Sequence, residues 1–214
     1  MTDTNARSRA LRLAVTGAAA ASALVAGSAV QAEVFGIMNG RSAAPPTATT
    51  SAEVAAQFDD DAFYVGLRGN YAVSPELTGF ANLSFVDLDA GGDGFVLGGG
   101  TFFHFVDQQF LPSVNLAAKP SIGYTDVDGG NVISLAAEAI ASGRTTVAQE
   151  AVGWYANFGL GFFRTDPDGG GSDTDFEPII GGGITVPVGN GTAYAGVDII
   201  DDVQLGVGFR IGLQ

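Results

Sequence analysis

From Ala62 to the end of the chain, apolar and polar positions alternate with a period of two, the mark of strands whose two faces meet different surroundings. The last stretch is the clearest. Val203, Leu205, Val207, Phe209, Ile211 and Leu213 fall on one face, against Gln204, Gly206, Gly208, Arg210, Gly212 and Gln214 on the other. Near the start of the patterned region, Phe63, Val65, Leu67 and Tyr71 oppose Arg68 and Asn70. Next, Leu77, Ala81, Leu83 and Phe85 oppose Thr78, Asn82 and Ser84. Further strands are expected over 94–106, 114–125, 131–142, 153–164, 178–188 and 192–200. Each is about 9–14 residues long, the length of a tilted strand that crosses a bilayer. Strands of soluble sandwiches average about 5–6.

The turns between these strands repeat in form. Stretches beginning at Asp87, Asp126 and Asp166 share the pattern Asp-x-Asp-x-Gly and start 39 and 40 residues apart. Two strands and two connections fill such an interval, so the three acidic turns are expected on one rim. Ordinary hairpin spacing accounts for the period better than duplication does. Gly189-Asn190-Gly191 is a tight hairpin signal on the other rim. With the C-terminus on the periplasmic side, counting back puts Asp201-Asp202, 166–176, 126–130 and 87–93 outside, the usual place for longer polar loops. Nine strands are clear, whereas single-chain bacterial barrels have even numbers. Either a weak strand at Val34 to Asn39 makes ten, or one segment (131–142 is the weakest) does not span and the number is eight.

The beginning of the chain differs. Arg7, Arg9 and Arg12 precede an apolar run of small residues, Leu13 to Val30, with Val30-Gln31-Ala32 as a cleavage site. Basic region, apolar region and small-residue site in that order read as a secretory signal peptide over 1–32. A membrane-anchoring helix is the lesser alternative, because Ala, Gly, Ser and Thr dominate the run. Residues 33–61 read as a short segment and a Pro/Ala/Thr-rich linker or loop, with Pro45 and Pro46 forbidding a regular element there. The barrel domain is expected over 62–214.

Composition narrows the function. Removing 1–32 takes away three Arg and Asp3 and leaves six basic and 22 acidic residues, a net charge of −16. Such a chain repels polyanions, so nucleic acid is excluded as a partner. The absence of Cys excludes a disulfide framework, thiol catalysis and Cys-ligated zinc. Only 15% of residues are charged and 32 of the 214 are Gly. A wall facing lipid needs few charges, and Gly suits its bends and crowded interior. The expectation is an all-β, antiparallel, up-and-down transmembrane β-barrel of about 8–10 strands, exported to the bacterial outer membrane.

Over 62–214 the alternation, the hairpin spacing and the apolar last strand resemble the small outer-membrane barrels of the OmpA, OmpX and OmpW kind. Such families typically end in an aromatic residue, whereas this chain ends Gly212-Leu213-Gln214. The resemblance implies envelope integrity, adhesion, defence or small-molecule passage and selects none of them.

Candidate chemistry is sparse. His104 is the sole histidine and is followed by Phe105-Val106, with no Ser two residues on and no orienting partner beside it, so a wall or rim position is expected and no catalytic set is assigned. Arg68, Lys119, Glu138 and Arg210 fall on the inward faces. Charges inside a small barrel must pair, and Glu138 is the sole acid on those faces for three bases. A structural plug is favoured over a gated polar pore. The stretch from Asp166 through Asp168 to Glu177 has acids at positions 1, 3 and 12 with Gly at 6, the spacing of a calcium loop. Position 5 is Gly170 and the flanks read as strands, so solvated acid is favoured and no metal or other cofactor is expected. The expected partners are membrane lipid and divalent cations at the acidic loops. The reading is a non-enzymatic outer-membrane barrel acting in envelope structure or surface contact. A narrow channel for small solutes and a secreted soluble β binder or surface-fibre subunit are the alternatives.

Overall fold

The computed structural model describes residues 41–89, 92–105, 113–148 and 150–213. Ten antiparallel strands run in chain order: β1 (Thr50–Phe58), β2 (Ala62–Ser74), β3 (Leu77–Leu88), β4 (Asp93–Phe105), β5 (Val114–Val127), β6 (Gly130–Val147), β7 (Glu150–Pro167), β8 (Asp173–Val188), β9 (Gly191–Ile200) and β10 (Asp202–Leu213). Each pairs with its neighbours in sequence, and β1 pairs with both β2 and β10, so the sheet closes on itself. Closure leaves no strand edge with unpaired backbone groups, the condition for crossing a membrane with strands.

All nine strands read from the alternation are present, including 131–142, which lies within β6. The tenth is β1, and it corrects the reading of 33–61 as linker. It lies inside that stretch; the alternative strand at Val34 to Asn39 and the expected leader over 1–32 lie outside the described residues. The alternation of β1 is real but faint. Ser51, Glu53, Ala55 and Gln57 take one face and Ala52, Val54, Ala56 and Phe58 the other, so alanine on both faces blurs the contrast. Tertiary pairing decides it. Val54 sits between Leu67 and Phe209, and Glu53 between Arg68 and Arg210.

The outer wall is apolar between two aromatic ends. At one end Phe58 meets Phe63 at 5.1 Å, Phe95 meets Tyr124 at 6.4 Å and Phe162 meets Phe176 at 5.1 Å. Towards the other end Tyr71, Phe103 and Phe105 are exposed. Between them Leu67, Leu83, Leu97, Ile122, Leu135, Leu160, Ile180 and Leu205 point outward. A belt of this kind flanked by aromatic girdles is the lipid-facing surface of a transmembrane barrel.

The turns sort as the parity argument expected. Residues 59–61, Asp89 and Gly92, Asp128-Gly129, 168–172 and Asp201 lie on one rim. On the opposite rim are Pro75-Glu76, Ala148, Gly189-Asn190 and the segment preceding β1. The β4–β5 connection, from 106 to 112, lies outside the described residues. The acidic turns thus share one end, joined by Asp59, Asp60 and Asp61, and Arg164 is the sole base among the described residues of that end. We call it the outer rim.

Candidate functional site

The lumen is filled in layers. Beneath the outer rim Tyr64, Val86 and Val96 pack with Ala55, Ala62 and Tyr194. Beside them Val132, Phe163, Ile179, Ala136 and Ile200 form a second cluster. Tyr64, Val86, Val96, Val132, Phe163 and Ile179 are 0% exposed, so this half of the lumen is dry. Alternation makes it so, since every second residue of a strand must point inward.

Charges occupy the middle. Lys119 and Glu138 are register partners on β5 and β6 and form a buried ion pair. Asn157 donates to Glu138 Oε2 at 3.0 Å and to Asp198 at 3.4 Å. Asn157, Gly181 and Asp198 lie in one register row across β7, β8 and β9. A Cβ at Gly181 would collide with the Asp198 carboxylate, so glycine there makes the space that the acid fills. On the other side of the lumen Glu53 accepts from Arg210 Nε at 2.8 Å, Asn70 at 3.0 Å and the Tyr194 hydroxyl at 3.1 Å. Register explains this cluster too, because Glu53 is flanked by Arg210 on β10 and Arg68 on β2.

Into this layer comes a residue from outside the sheet. The segment 41–49 enters the lumen from the inner rim, and Arg41, 3% exposed, reaches its middle. Arg41 Nη1 donates to both Asp198 oxygens at 2.9 and 2.7 Å, and its Nε lies 3.2 Å from Glu138 Oε2. Two residues on, Ala43 N–H donates to Ser142 Oγ at 2.9 Å, and the Ala43 carbonyl lies 3.1 Å from His104 Nδ1. A carbonyl can only accept, so Nδ1 carries the proton, and Nε2 accepts from Thr78 Oγ1 at 3.0 Å. His104 also stacks on Phe102 and is buried. Phe80, Phe102, Ala117 and Ile140 close around Ala43. Below them a cavity of about 910 Å³ opens to the inner rim, lined by the segment itself and by Asn70, His104, Arg144, Trp154 and Arg210.

Arg68, Lys119, Glu138 and Arg210 are thus all in the lumen, as the inward parity required. Glu138 is not the sole interior acid. Glu53 and Asp198 are buried beside it, and Arg41 adds a fourth base. Glu53 and Arg41 escaped notice because they lie in the stretch read as linker. Asp198 is on a recognised strand but sits two residues from its end, next to the polar turn, where an acid reads as rim. His104 is in the wall, where it anchors the entering segment. The structure does not gather Asp166, Asp168 and Glu177. Asp166 ends β7 in an exposed ion pair with Arg164 at 3.3 Å, Asp168 is in the turn, and Glu177 lies within β8 opposite Gly161. Four residues of strand, about 13 Å, separate Glu177 from the start of β8.

Closed antiparallel wall, lipid-facing belt and filled lumen together define a transmembrane β-barrel. No family model and no curated protein matches the chain. Among solved structures it is similar to LpxR from Salmonella typhimurium, at 9% identity over 71% of this chain and 73% of that one, with a TM-score of 0.44. The translocator domain of the autotransporter NalP from Neisseria meningitidis matches at 12% identity over 92% and 98%, with a TM-score of 0.40. KdgM porin matches at 8% identity over 77% and 99%, with a TM-score of 0.39. Likenesses this distant select no activity, and the functional reading rests on the lumen and the wall.

Proposed function

We propose that the chain is a non-enzymatic outer-membrane barrel, closed to solute flow, that serves envelope structure or surface contact through its acidic rim. The observation that carries this reading is the dry outer half of the lumen. Side chains with no exposed surface pack there in two clusters, and the charge layer beneath is bridged by Arg41. A solute entering the inner cavity meets the Phe80–Phe102 layer, then ion pairs, then the apolar clusters. This arrangement argues against the channel reading, and the exposed apolar belt argues against the soluble one. The outer rim, with its excess of carboxylates, draws divalent cations diffusely and less so in high monovalent salt.

Two measurements test this. The protein should fractionate with outer membranes and change its apparent size on boiling; recovery in a soluble fraction would end the reading. Reconstituted in planar bilayers, it should give no resolved conductance steps. Regular open-channel steps would replace the closed barrel with a channel.

A further inference from the structure

The charges inside the lumen do not balance. Among the described residues the buried Arg41, Arg68 and Lys119, with Arg210 partly exposed to the inner cavity, face Glu53, Glu138 and Asp198, four cations to three carboxylates. The wall alone would be neutral, three against three, and Arg41 adds the surplus from the entering segment. Every carboxylate is engaged by another group. Glu53 is taken by Arg210, Asn70 and Tyr194, Glu138 by Lys119, Arg41 and Asn157, and Asp198 by Arg41. Arg68 is left over. It is 2% exposed, and Nε, Nη1 and Nη2 all lack a hydrogen-bond partner.

A buried guanidinium with three idle donors is costly, because nothing replaces the water it has lost. Its charge rests against the face of Phe80, whose ring centre is 4.5 Å from Arg68 Cζ, and its register partner Glu53 attracts it without accepting a hydrogen bond from it. Lys119 Nζ lies 5.8 Å from the same ring, so a second cation stands nearby. Two further buried hydroxyls lie on β3 and β5. Ser84 is two residues along β3 from Asn82, the register partner of Arg68. Ser121 pairs with Gly100, whose other partner is Phe80. Both Oγ atoms are buried and without a hydrogen-bond partner. Guanidinium and hydroxyl groups can all donate, and the carboxylate on this side of the lumen, Glu53, is already taken by Arg210, Asn70 and Tyr194.

We propose that the lumen holds one small monovalent anion of halide size at Arg68, with the hydroxyl of Ser84, on the adjoining strand, as a supporting donor. The anion neutralises the charge that Arg41 brings in and so belongs to the state with the segment inserted. Chloride is the available ion of this class. A larger organic anion is excluded by the packing of Phe80 and the clusters above it.

The test uses the full chain refolded in detergent. Its unfolding midpoint is measured in sodium chloride and in sodium gluconate at equal ionic strength, so that screening of the acidic rim is the same in both. The midpoint should be higher in chloride and the difference should saturate. Arg68→Met should abolish the difference, and Arg164→Met, at the exposed rim, should keep it. Equal midpoints in the two salts, or a difference that survives Arg68→Met, would overturn the proposal. Should Arg68→Met fail to refold, crystals of the unaltered protein soaked in bromide decide. An anomalous peak within hydrogen-bonding distance of Arg68 supports the site, and its absence there refutes it.

Discussion

Asp59 starts the three-residue acidic turn between β1 and β2, and its setting is unfavourable to its charge. Partial burial pushes its carboxyl above the usual range, and Asp202, Asp60 and Asp61 push the same way, while the Asp60 N–H donating at 2.7 Å pulls back. The folded state therefore holds this proton more tightly than the unfolded chain. Stability contributed here is lost as pH rises from the ordinary value of 3.8 through the raised one, and is regained on acidification over that window. Asp59→Asn should flatten this part of the profile, read as unfolding midpoint against pH from about 4 upward. A steeper fall with pH in the variant would contradict the assignment. On the lipid face the logic is burial of a different kind. Val207 points outward in mid-β10, opposite Ala56 and Ala195. Val207→Arg should cost about 2–4 kcal/mol in urea unfolding from lipid vesicles, and Asp60→Arg, at the rim, about 0–1. Equal costs would mean that the belt is misplaced.

At the scale of elements, the segment 41–49 is the least expected feature. It is not part of the sheet and yet determines what the lumen contains. Pro45 and Pro46 keep it irregular, and its polar contacts with the wall include Arg41 to Asp198 and Glu138, Ala43 to Ser142 and His104, and the Thr49 carbonyl accepting from Ala72 N–H. Removing one partner of a buried ion pair leaves the other uncompensated, so the segment depends heavily on Asp198. In the native barrel the Arg41–Ser42 bond is enclosed and should resist trypsin. Asp198→Asn should speed cleavage there on the order of tenfold, equivalent to about 1.4 kcal/mol taken from the contact. Unchanged cleavage, with the barrel still resistant to unfolding, would show that Arg41 is held by something else.

For the whole molecule, the closed strand order makes sidedness a single variable. If one acidic turn faces outward, all of them do. Cysteines at Asp60, Asp89, Asp128 and Asp168 should each label in intact cells with a membrane-impermeant thiol reagent, against a background free of native Cys. These positions are preferable to the neighbouring glycines, since Gly170, at φ +90°, would strain any side chain. A cysteine at Asn190, on the inner rim, should label only after the cells are broken. Full inversion of the pattern would reverse the orientation, and a split among the four outer positions would contradict the strand order itself.

Nine of the ten strands, their facing, and the gathering of the acidic turns on one rim were legible in the chain, because a period of two is a local property that any lipid-facing wall must display. Arg68, Lys119, Glu138 and Arg210 were legible as interior for the same reason. What local pattern cannot carry is which residues meet across the lumen. β1 exists as a strand through its pairing with β2 and β10, and three of its nine residues are alanine, which mark neither face. The entry of Arg41, the sharing of Glu138 and Asp198 with it, and the isolation of Arg68 depend on groups far apart in sequence and brought together by closure. Alternation determined the wall; only the folded barrel decided how its interior charges are divided, because a buried charge takes its partner from whatever lies nearest in space.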